Sequence, residues 1–199
     1  EVSSSPTGPI GIGTWSDDAG DTGSAQLTTS TPWTVATTGG HDGPKVYSTP
    51  NYGNNLCVGI TSDVLHLGAG PQLTFWSRYG IESGWDKGEV QISTNGGATW
   101  TRVPVNYPGS SSYTADACDL PTGTYFTGTD NTYAEYSASL GAWANQDVMV
   151  RWALSSDTSV NEFLVSDSLK TLTGYPVDGT PAADLDRLHA TPPMNVLFS

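Results

Sequence analysis

A run of strand-like segments joined by one tight turn, residues 73–103, constrains the fold of this chain most. Apolar and polar side chains alternate along residues 73–79 and again along residues 88–93, which is the pattern of half-buried β-strands. Asn95-Gly96-Gly97 separates the second run from a third, residues 99–103. Asn-Gly between such runs is a strong hairpin signal, because both turn residues tolerate positive φ. The segment therefore predicts an antiparallel β-sheet.

The turn also carries a finer pattern, Ser-x-Asn-x-Gly-x-x-Trp, formed by Ser93, Asn95, Gly97 and Trp100. It matches the Asp-box hairpin, in which a short Asx side chain bonds its own turn and the Trp packs over that turn. In sialidases such boxes repeat around a propeller, whereas this sequence shows one copy, and propellers require repeats. The pattern therefore predicts a structural hairpin.

The rest of the chain also favours β-structure. Gly and Pro are abundant, short strand-like runs follow one another, and no long amphipathic helical run occurs before residues 182–190. A chain of 199 residues suits one all-β domain with tails. We expect a linker-like segment at residues 1–13, a sandwich or barrel domain at residues 14–173, and a Pro/Asp-rich tail at residues 174–199, in a mature fragment or an excised domain.

The charge balance narrows the range of partners. The formal net charge is −13, because Lys and Arg together number only seven. Nucleic acids and anionic membranes are disfavoured, since phosphate contacts need Lys and Arg. No apolar run is long enough to cross a membrane, so we expect no membrane insertion. An acidic surface is compatible with calcium, with salt-rich surroundings or with simple solubility.

The chain has two cysteines, Cys57 and Cys118. Neither lies in a Cys-x-x-Cys motif, which argues against a zinc or redox site. In an extracellular protein the two would pair, and the chain-entropy model gives a stabilisation of about 4 kcal/mol for closing a loop of that length. The alternative is two separate buried thiols.

Three segments together carry a family resemblance: a strand with an acidic loop (residues 73–86), a strand with the hairpin (residues 90–100), and Leu-Gly-Ala-Trp-Ala-Asn-Gln-Asp-Val-Met-Val-Arg-Trp at residues 140–152. A Ser-Asp-Thr-Ser-Val run around Asp157 and a last strand with Asp167 follow. In this order the chain resembles the extracellular jelly-roll group that includes MAM domains and the cleaved-adhesin domains found after the catalytic part of secreted bacterial peptidases. The resemblance implies a two-sheet antiparallel jelly-roll sandwich, similar to concanavalin A-like and galactose-binding-like folds.

The resemblance also implies a metal site, because many domains of that group hold a structural calcium where the first and last strands meet. Asp42 and Asp167 occupy the matching positions, with Ser166 where the family pattern has a further Asp, and Asp17 or Asp18 would complete the site. Calcium takes roughly six to eight oxygen ligands, which acidic Gly-rich turns supply. We therefore expect a structural calcium.

For function, the resemblance implies a non-catalytic adhesion or accessory module of a larger protein that is secreted or exposed on the cell surface. Its partners would be a neighbouring domain, another extracellular protein or a glycan. A carbohydrate-binding module is the alternative hypothesis. In it, the loop aromatics Trp85, Tyr113 and Trp143 would stack on sugar rings, and the loop acids Glu82 and Asp86 would bond sugar hydroxyls.

A glycoside hydrolase is the third hypothesis. Glu82, Asp86 and Glu89 are the best acid candidates, since retaining hydrolysis uses two carboxylates about 5 Å apart. Their spacing, Glu-x-x-x-Asp-x-x-Glu, puts the first two in a loop rather than along one strand. No Gly-x-Ser-x-Gly or His-Glu-x-x-His motif occurs, and the three His residues lack ligand spacing. We therefore expect no enzyme activity.

Overall fold

The computed structural model describes residues 12–159, 163–176 and 197–198, and it describes side chains over residues 14–159. These residues form β-strands joined by turns, with one short 3-10 helix at Gly141–Trp143. In chain order the strands are β1 (Ile12–Asp17), β2 (Thr28–Thr29), β3 (Thr34–Ala36), β4 (Val46–Thr49), β5 (Cys57–Thr61), β6 (Leu65–His66), β7 (Gln72–Ile81), β8 (Lys87–Ser93), β9 (Thr101–Arg102), β10 (Gly109–Ser111), β11 (Gly123–Tyr125), β12 (Gly128–Ser139), β13 (Asp147–Ser155), β14 (Phe163–Pro176) and β15 (Leu197–Phe198).

The strands form two main sheets. The first has the order β12-β7-β14-β4-β3, with β1 and β15 also paired to β14, and the second has the order β2-β5-β13-β8-β9, with β6 paired to β13. A small third sheet pairs β10 with β11. The pairings are antiparallel. The predicted all-β antiparallel sandwich is therefore confirmed.

Strand β7 shows why the two large sheets pack together. Its Leu73 and Phe75 are buried, while Trp76 and Arg78 alternate with them on the partly exposed face. The Phe75 ring meets the ring of Trp152, on β13 of the second sheet, edge to face with centroids 5.6 Å apart. The predicted alternation along residues 73–79 is thus confirmed, and its apolar side forms the sandwich core.

The β8–β9 hairpin has the expected Asp-box geometry. Asn95 Oδ1 accepts hydrogen bonds from the Ser93 hydroxyl (2.8 Å) and the Thr99 N–H (2.9 Å). Gly96 and Gly97 have φ values of +69° and +86°, a region that favours glycine. A side chain at Gly97 would meet the Trp100 ring at 3.3 Å, so the Trp does pack over the turn.

The outer face of β8 is covered, because every residue of this strand is buried. The long segment of residues 104–127, which contains β10 and β11, covers the start of β8, where Lys87 bonds Asp116 and Leu120 and Gly88 pairs with Phe126. A disulfide between Cys57 and Cys118 ties this segment to β5, with an S–S distance of 2.08 Å. The predicted pairing of the two cysteines is confirmed.

The described strands extend beyond the segment predicted as the domain, residues 14–173, and β15 lies within the predicted tail. Strand β1 begins at Ile12, two residues before the expected domain start, and β14 extends to Pro176, beyond the expected end at residue 173. Residues 1–11 of the expected linker, and the expected helical turn at residues 182–190, lie outside the described residues. No helix in the described part of the chain has the length and apolar character to cross a membrane.

Candidate functional site

The loop between β7 and β8, residues 82–86, exposes the side chain of Trp85 to solvent. The N–H groups of Trp85 and Asp86 both donate to the Glu82 carbonyl, at 3.3 and 3.1 Å. Gly84 has a φ of +81°, which a residue with a side chain rarely adopts. This tight turn leaves Trp85 48% exposed, and Trp85 and Val64 are the exposed large apolar side chains of the described residues.

Trp85 has an aromatic neighbour on the long segment. The ring of Tyr113, which is half-buried, lies with its centroid 4.9 Å from that of Trp85, at an interplanar angle of 58°. The two rings, here called the aromatic pair, come from loops that are 28 positions apart in the sequence. The fold therefore builds a two-ring apolar surface at the edge of the sandwich.

Hydrogen bonds fix the loop of residues 82–86 against the long segment. The Ser111 hydroxyl donates to the Gly84 carbonyl at 2.7 Å. The Gly84 N–H donates to the Thr127 hydroxyl at 2.8 Å, and that hydroxyl donates to the Glu82 carbonyl at 3.1 Å. Both loops are thus held in place by the protein itself, which lowers the entropic cost of binding a ligand there.

A buried ion pair anchors the backbone of Tyr113. Lys87 and Asp116 are both fully buried, with Nζ 2.7 Å from Oδ2. Lys87 Nζ also donates to the carbonyls of Tyr113 and of Leu120, the latter at 2.8 Å. All three ammonium hydrogens are therefore used, and one of them anchors the backbone of an aromatic-pair residue.

The environment of Asp116 keeps its carboxylate charged. Burial by itself would raise the pKa of Asp116, but hydrogen bonds from Lys87, Ser155 and the Leu120 N–H outweigh it and lower the pKa below its usual value. The Cys118 N–H donates to the same carboxylate at 3.3 Å, next to the disulfide. The ion pair and the disulfide therefore hold the same part of the long segment.

Three acids lie next to each other beside this loop. Carboxylate oxygens of Glu82, Asp86 and Asp157 all lie within 4.8 Å of one another. Asp86 is fully buried and Asp157 is 4% exposed. We call these three residues the acid cluster. Among the described residues it is the one group of three or more His, Cys, Asp or Glu that approach this closely.

Asp86 lies at the centre of the acid cluster. Its Oδ2 accepts the Tyr52 hydroxyl and its Oδ1 accepts the Asp157 N–H, each at 2.7 Å. Burial, with a smaller contribution from the charges of Asp157 and Glu82, raises the pKa of Asp86 to about 6 in spite of these hydrogen bonds. Three close carboxylates are easier to keep ionised beside a cation, and oxygen donors of this kind are those that calcium prefers.

The acids of the predicted metal site have other roles in the structure. Asp17 accepts hydrogen bonds from the Tyr47 hydroxyl (2.6 Å) and from three backbone N–H groups. Asp18 caps its own turn through the N–H groups of Gly20 and Thr22. Asp42 Oδ1 lies 2.6 Å from His41 Nδ1. The Asp167 side chain lies outside the described residues, so calcium binding by these four acids stays a prediction.

Trp143 lies far from the aromatic pair. Strand β12 pairs Gly128 with Ile81 at the Trp85 end of β7, and it pairs Ser139 with Gln72 at the other end. Trp143 ends the 3-10 helix, four positions after Ser139, so roughly 30 Å of strand separate it from Trp85. It packs against the core and is half-buried, so it belongs to a different end of the sandwich.

Glu89 is also separate from the two loop acids. Its Oε2 lies 2.9 Å from Arg102 Nε, and its Oε1 accepts the Gln91 amide at 2.5 Å. It does not belong to the acid cluster of Glu82 and Asp86. The structure therefore brings together two of the three acids of the hydrolase hypothesis and places the third in a buried polar network under the long segment.

Sequence reasoning missed two members of this region, Asp157 and Tyr52. Asp157 comes just after the end of β13, and the sequence shows no sign that this end lies beside the β7–β8 loop. Tyr52 is fully buried and lies 34 positions from its partner Asp86. In the sequence, Asp157 stood out only as part of the Ser-Asp-Thr-Ser-Val run that follows a buried strand, with no sign of which residues it would meet.

Comparison with protein-family models finds no family that matches this chain, and comparison with curated proteins finds no match either.

Proposed function

We propose that this chain is a non-catalytic, extracellular carbohydrate-binding module that serves a larger secreted or cell-surface protein. The observation that supports it most is the aromatic pair: Trp85 is 48% exposed and is held 4.9 Å from Tyr113 by loops that the protein itself fixes. Sugar rings present C–H faces that pack on aromatic rings, and an exposed tryptophan with a fixed neighbour offers such a face.

The surroundings of the aromatic pair also suit a sugar. Tyr113 of the aromatic pair also carries a hydroxyl, which can donate to or accept from a sugar hydroxyl. The net charge of −13 makes a nucleic acid or an anionic membrane a poor partner for the same surface. The disulfide is compatible with an oxidising compartment, which agrees with an extracellular location.

A glycan array tests this proposal. The probes are the wild-type domain, Trp85→Ala and Val64→Ala; Val64 is 52% exposed and serves as the matched control. We expect wild type and Val64→Ala to bind the same glycans, and Trp85→Ala to lose that binding with a melting temperature within a few degrees of wild type. Absence of binding by the wild type, or full binding by Trp85→Ala, would contradict the proposal.

The second part of the proposal is a calcium ion at the acid cluster, where it would stiffen the loop that carries Trp85. It is supported by the 4.8 Å spacing of the three acids and by the raised pKa of Asp86. Glu82, Asp86 and Asp157 would hold the ion, and backbone carbonyls or water would complete its shell. Calcium here would act as a structural ion, with glycan binding left to the aromatic pair.

Melting curves with calcium, with magnesium and with a chelator test the calcium site. We expect calcium, and not magnesium, to raise the melting temperature by several degrees, because it binds only the folded form. Asp157→Asn should lose this shift, and Asp119→Asn, which removes an exposed acid on the long segment, should keep it. An equal calcium shift in Asp157→Asn, or none in wild type, would remove the ion from the proposal.

A further inference from the structure

A groove of about 170 Å³ crosses the outer face of the second sheet, on β2, β5 and β13. Its floor includes Gly59, where a side chain would come within 2.6 Å of the Trp152 carbonyl, so the close pairing of β5 and β13 excludes any larger residue. Thr28 and Thr61 pair across β2 and β5, and Thr61 pairs in turn with Arg151 on β13. The groove is thus lined by a cross-strand row of two threonines and one arginine.

Arg151 has N–H groups in this groove that form no hydrogen bond within the described part of the chain. Its Nε donates to Gln91 Oε1 at 2.5 Å, and no other hydrogen bond or ion pair joins it to the described residues. By contrast, Lys87 pairs with Asp116, and Arg102 pairs with Glu89, whose charge also acts on Arg151. The terminal nitrogens of Arg151, with four N–H groups, are therefore available to a ligand.

The guanidinium of Arg151 is also fixed in orientation. It lies over the ring of Trp100, with its central carbon 4.2 Å from the ring centroid. Trp100 is held in turn by the Asp-box hairpin, whose Gly97 it contacts. Stacking on one face and a hydrogen bond at Nε leave the guanidinium edge as the free side, which is the edge that binds a carboxylate through two parallel bonds.

Hydroxyl groups complete the groove. Thr28, Thr29 and Thr61 line it, and their hydroxyls have no hydrogen-bond partner within the part of the chain that the structure describes. Ser30 is different, because its hydroxyl donates to the Gly59 carbonyl at 2.7 Å and holds β2 on β5. The groove therefore offers one oriented cation and three hydroxyls that can each donate and accept.

We infer that this groove binds the carboxylate of an acidic saccharide, such as a hexuronic acid residue, through Arg151, with Thr28 and Thr61 bonding the sugar hydroxyls. The choice of a saccharide rests on the proposed function, whereas the oxyanion site rests on the groove alone. The high negative charge of the chain repels polyanions at a distance, so the site suits one short unit with a single negative charge.

Calorimetry on the whole chain tests this inference with four probes: a short neutral oligosaccharide that ends in one uronic acid residue (here called the oligouronide), its neutral counterpart with the carboxyl group reduced, the sulfated neutral sugar, and sodium sulfate. We expect the oligouronide to bind saturably and its neutral counterpart to bind at least about tenfold more weakly, because a charge-assisted fork is lost. Binding of sulfate and sulfated sugar as tight as that of the oligouronide would contradict the carboxylate assignment.

The variants separate this groove from the aromatic pair. Arg151→Gln should lose the oligouronide, Arg151→Lys should weaken it because a point charge replaces the fork, and Thr61→Val should weaken it while keeping the shape of the side chain. Arg78→Gln, which removes an arginine on the other sheet, and Trp85→Ala should keep it. If Arg151→Gln does not fold, the oligouronide affinities of Arg151→Lys and Thr61→Val test the inference instead.

Wild-type affinity in these groove variants, or no uronide binding by wild type, would overturn the inference. Loss of uronide binding in Trp85→Ala alone would overturn the groove and leave the proposed function standing. Loss of uronide binding in Arg151→Gln alone, together with no binding of neutral sugars on the glycan array, would overturn glycan binding at the aromatic pair and leave the groove standing.

Discussion

At the residue scale, buried carboxylates govern how this protein responds to pH. Burial raises the pKa of Asp17 and of Asp86 to about 6 each, and it raises the pKa of Glu89 as well. The folded protein therefore holds these protons more tightly than the unfolded chain does. Between about pH 4 and pH 6, stability rises as the pH falls and is lost as the pH rises through about 6. Asp116, whose pKa is lowered, acts only at lower pH.

Asp86→Asn should flatten this pH response. In chelator, we expect the wild-type melting temperature to rise by a few degrees between pH 7 and pH 5, with Asp86 contributing about 1 kcal/mol over this range. The variant should show a smaller rise, because one of the protonating groups is gone. Thermal unfolding at a series of pH values measures the slope, and an identical slope in both proteins would contradict the assignment to Asp86.

Lys87→Met tests the buried ion pair under Tyr113. Removing the cation leaves Asp116 charged and buried, so we expect a loss of about 3–5 kcal/mol in the free energy of unfolding. Lys87→Met with Asp116→Asn should recover part of that loss, and Lys45→Met, at a half-buried lysine, should cost about 1 kcal/mol or less. Urea unfolding gives these values, and equal losses for the single and double variants would show that the charge of Asp116 is unimportant.

Residue types could be predicted better than residue partners. Glu82, Trp85 and Asp86 were found from the sequence because they share one short loop, and Tyr113 because it lies in a long one. Their partners Asp157 and Tyr52 come from distant strand ends, and local patterns contain no information on which ends meet. The sequence placed Arg151 in a strand but could not predict its unused N–H groups. Their orientation depends on Trp100 and Gln91, which lie beside Arg151 only in the fold.

At the scale of elements, the long segment of residues 104–127 connects fold and function. It covers the start of β8, carries Tyr113, and is held by the Cys57–Cys118 disulfide and the Lys87–Asp116 pair. The strand alternation and the Asn-Gly turn were sufficient to predict β7, β8 and β9 from the sequence, because those signals are local. The small β10–β11 sheet was not predicted, because its pairing depends on the segment folding back over β8.

Replacing both cysteines by alanine should destabilise the domain without removing the aromatic pair. The disulfide joins residues 61 positions apart, and the chain-entropy model gives about 4 kcal/mol for it. Glycan affinity measured below the new melting temperature should stay within about threefold of wild type, since Lys87 and Ser111 still hold the two loops. Guanidinium unfolding and calorimetry check the two parts, and unchanged stability would contradict the first.

At the scale of the whole molecule, the chain is an all-β antiparallel sandwich, and the binding sites proposed for it lie outside its core. Composition and alternation were sufficient to predict this architecture, because a sandwich is the common way to bury many short amphipathic strands. The aromatic pair and acid cluster lie at one end, and the Arg151 groove lies on a sheet face. Under the two proposals, this division would let one small module contact neutral and acidic units of the same glycan.

Hydrogen–deuterium exchange, with and without the glycan that binds most strongly on the array, tests the central claim most directly. We expect the glycan to slow exchange in residues 82–86 and 111–116, the two loops of the aromatic pair, and to leave the Trp143 end unchanged. Trp85→Ala should show no slowing at the same glycan concentration. Slowed exchange confined to other segments, with these two loops unaffected, would contradict glycan binding at Trp85 and Tyr113.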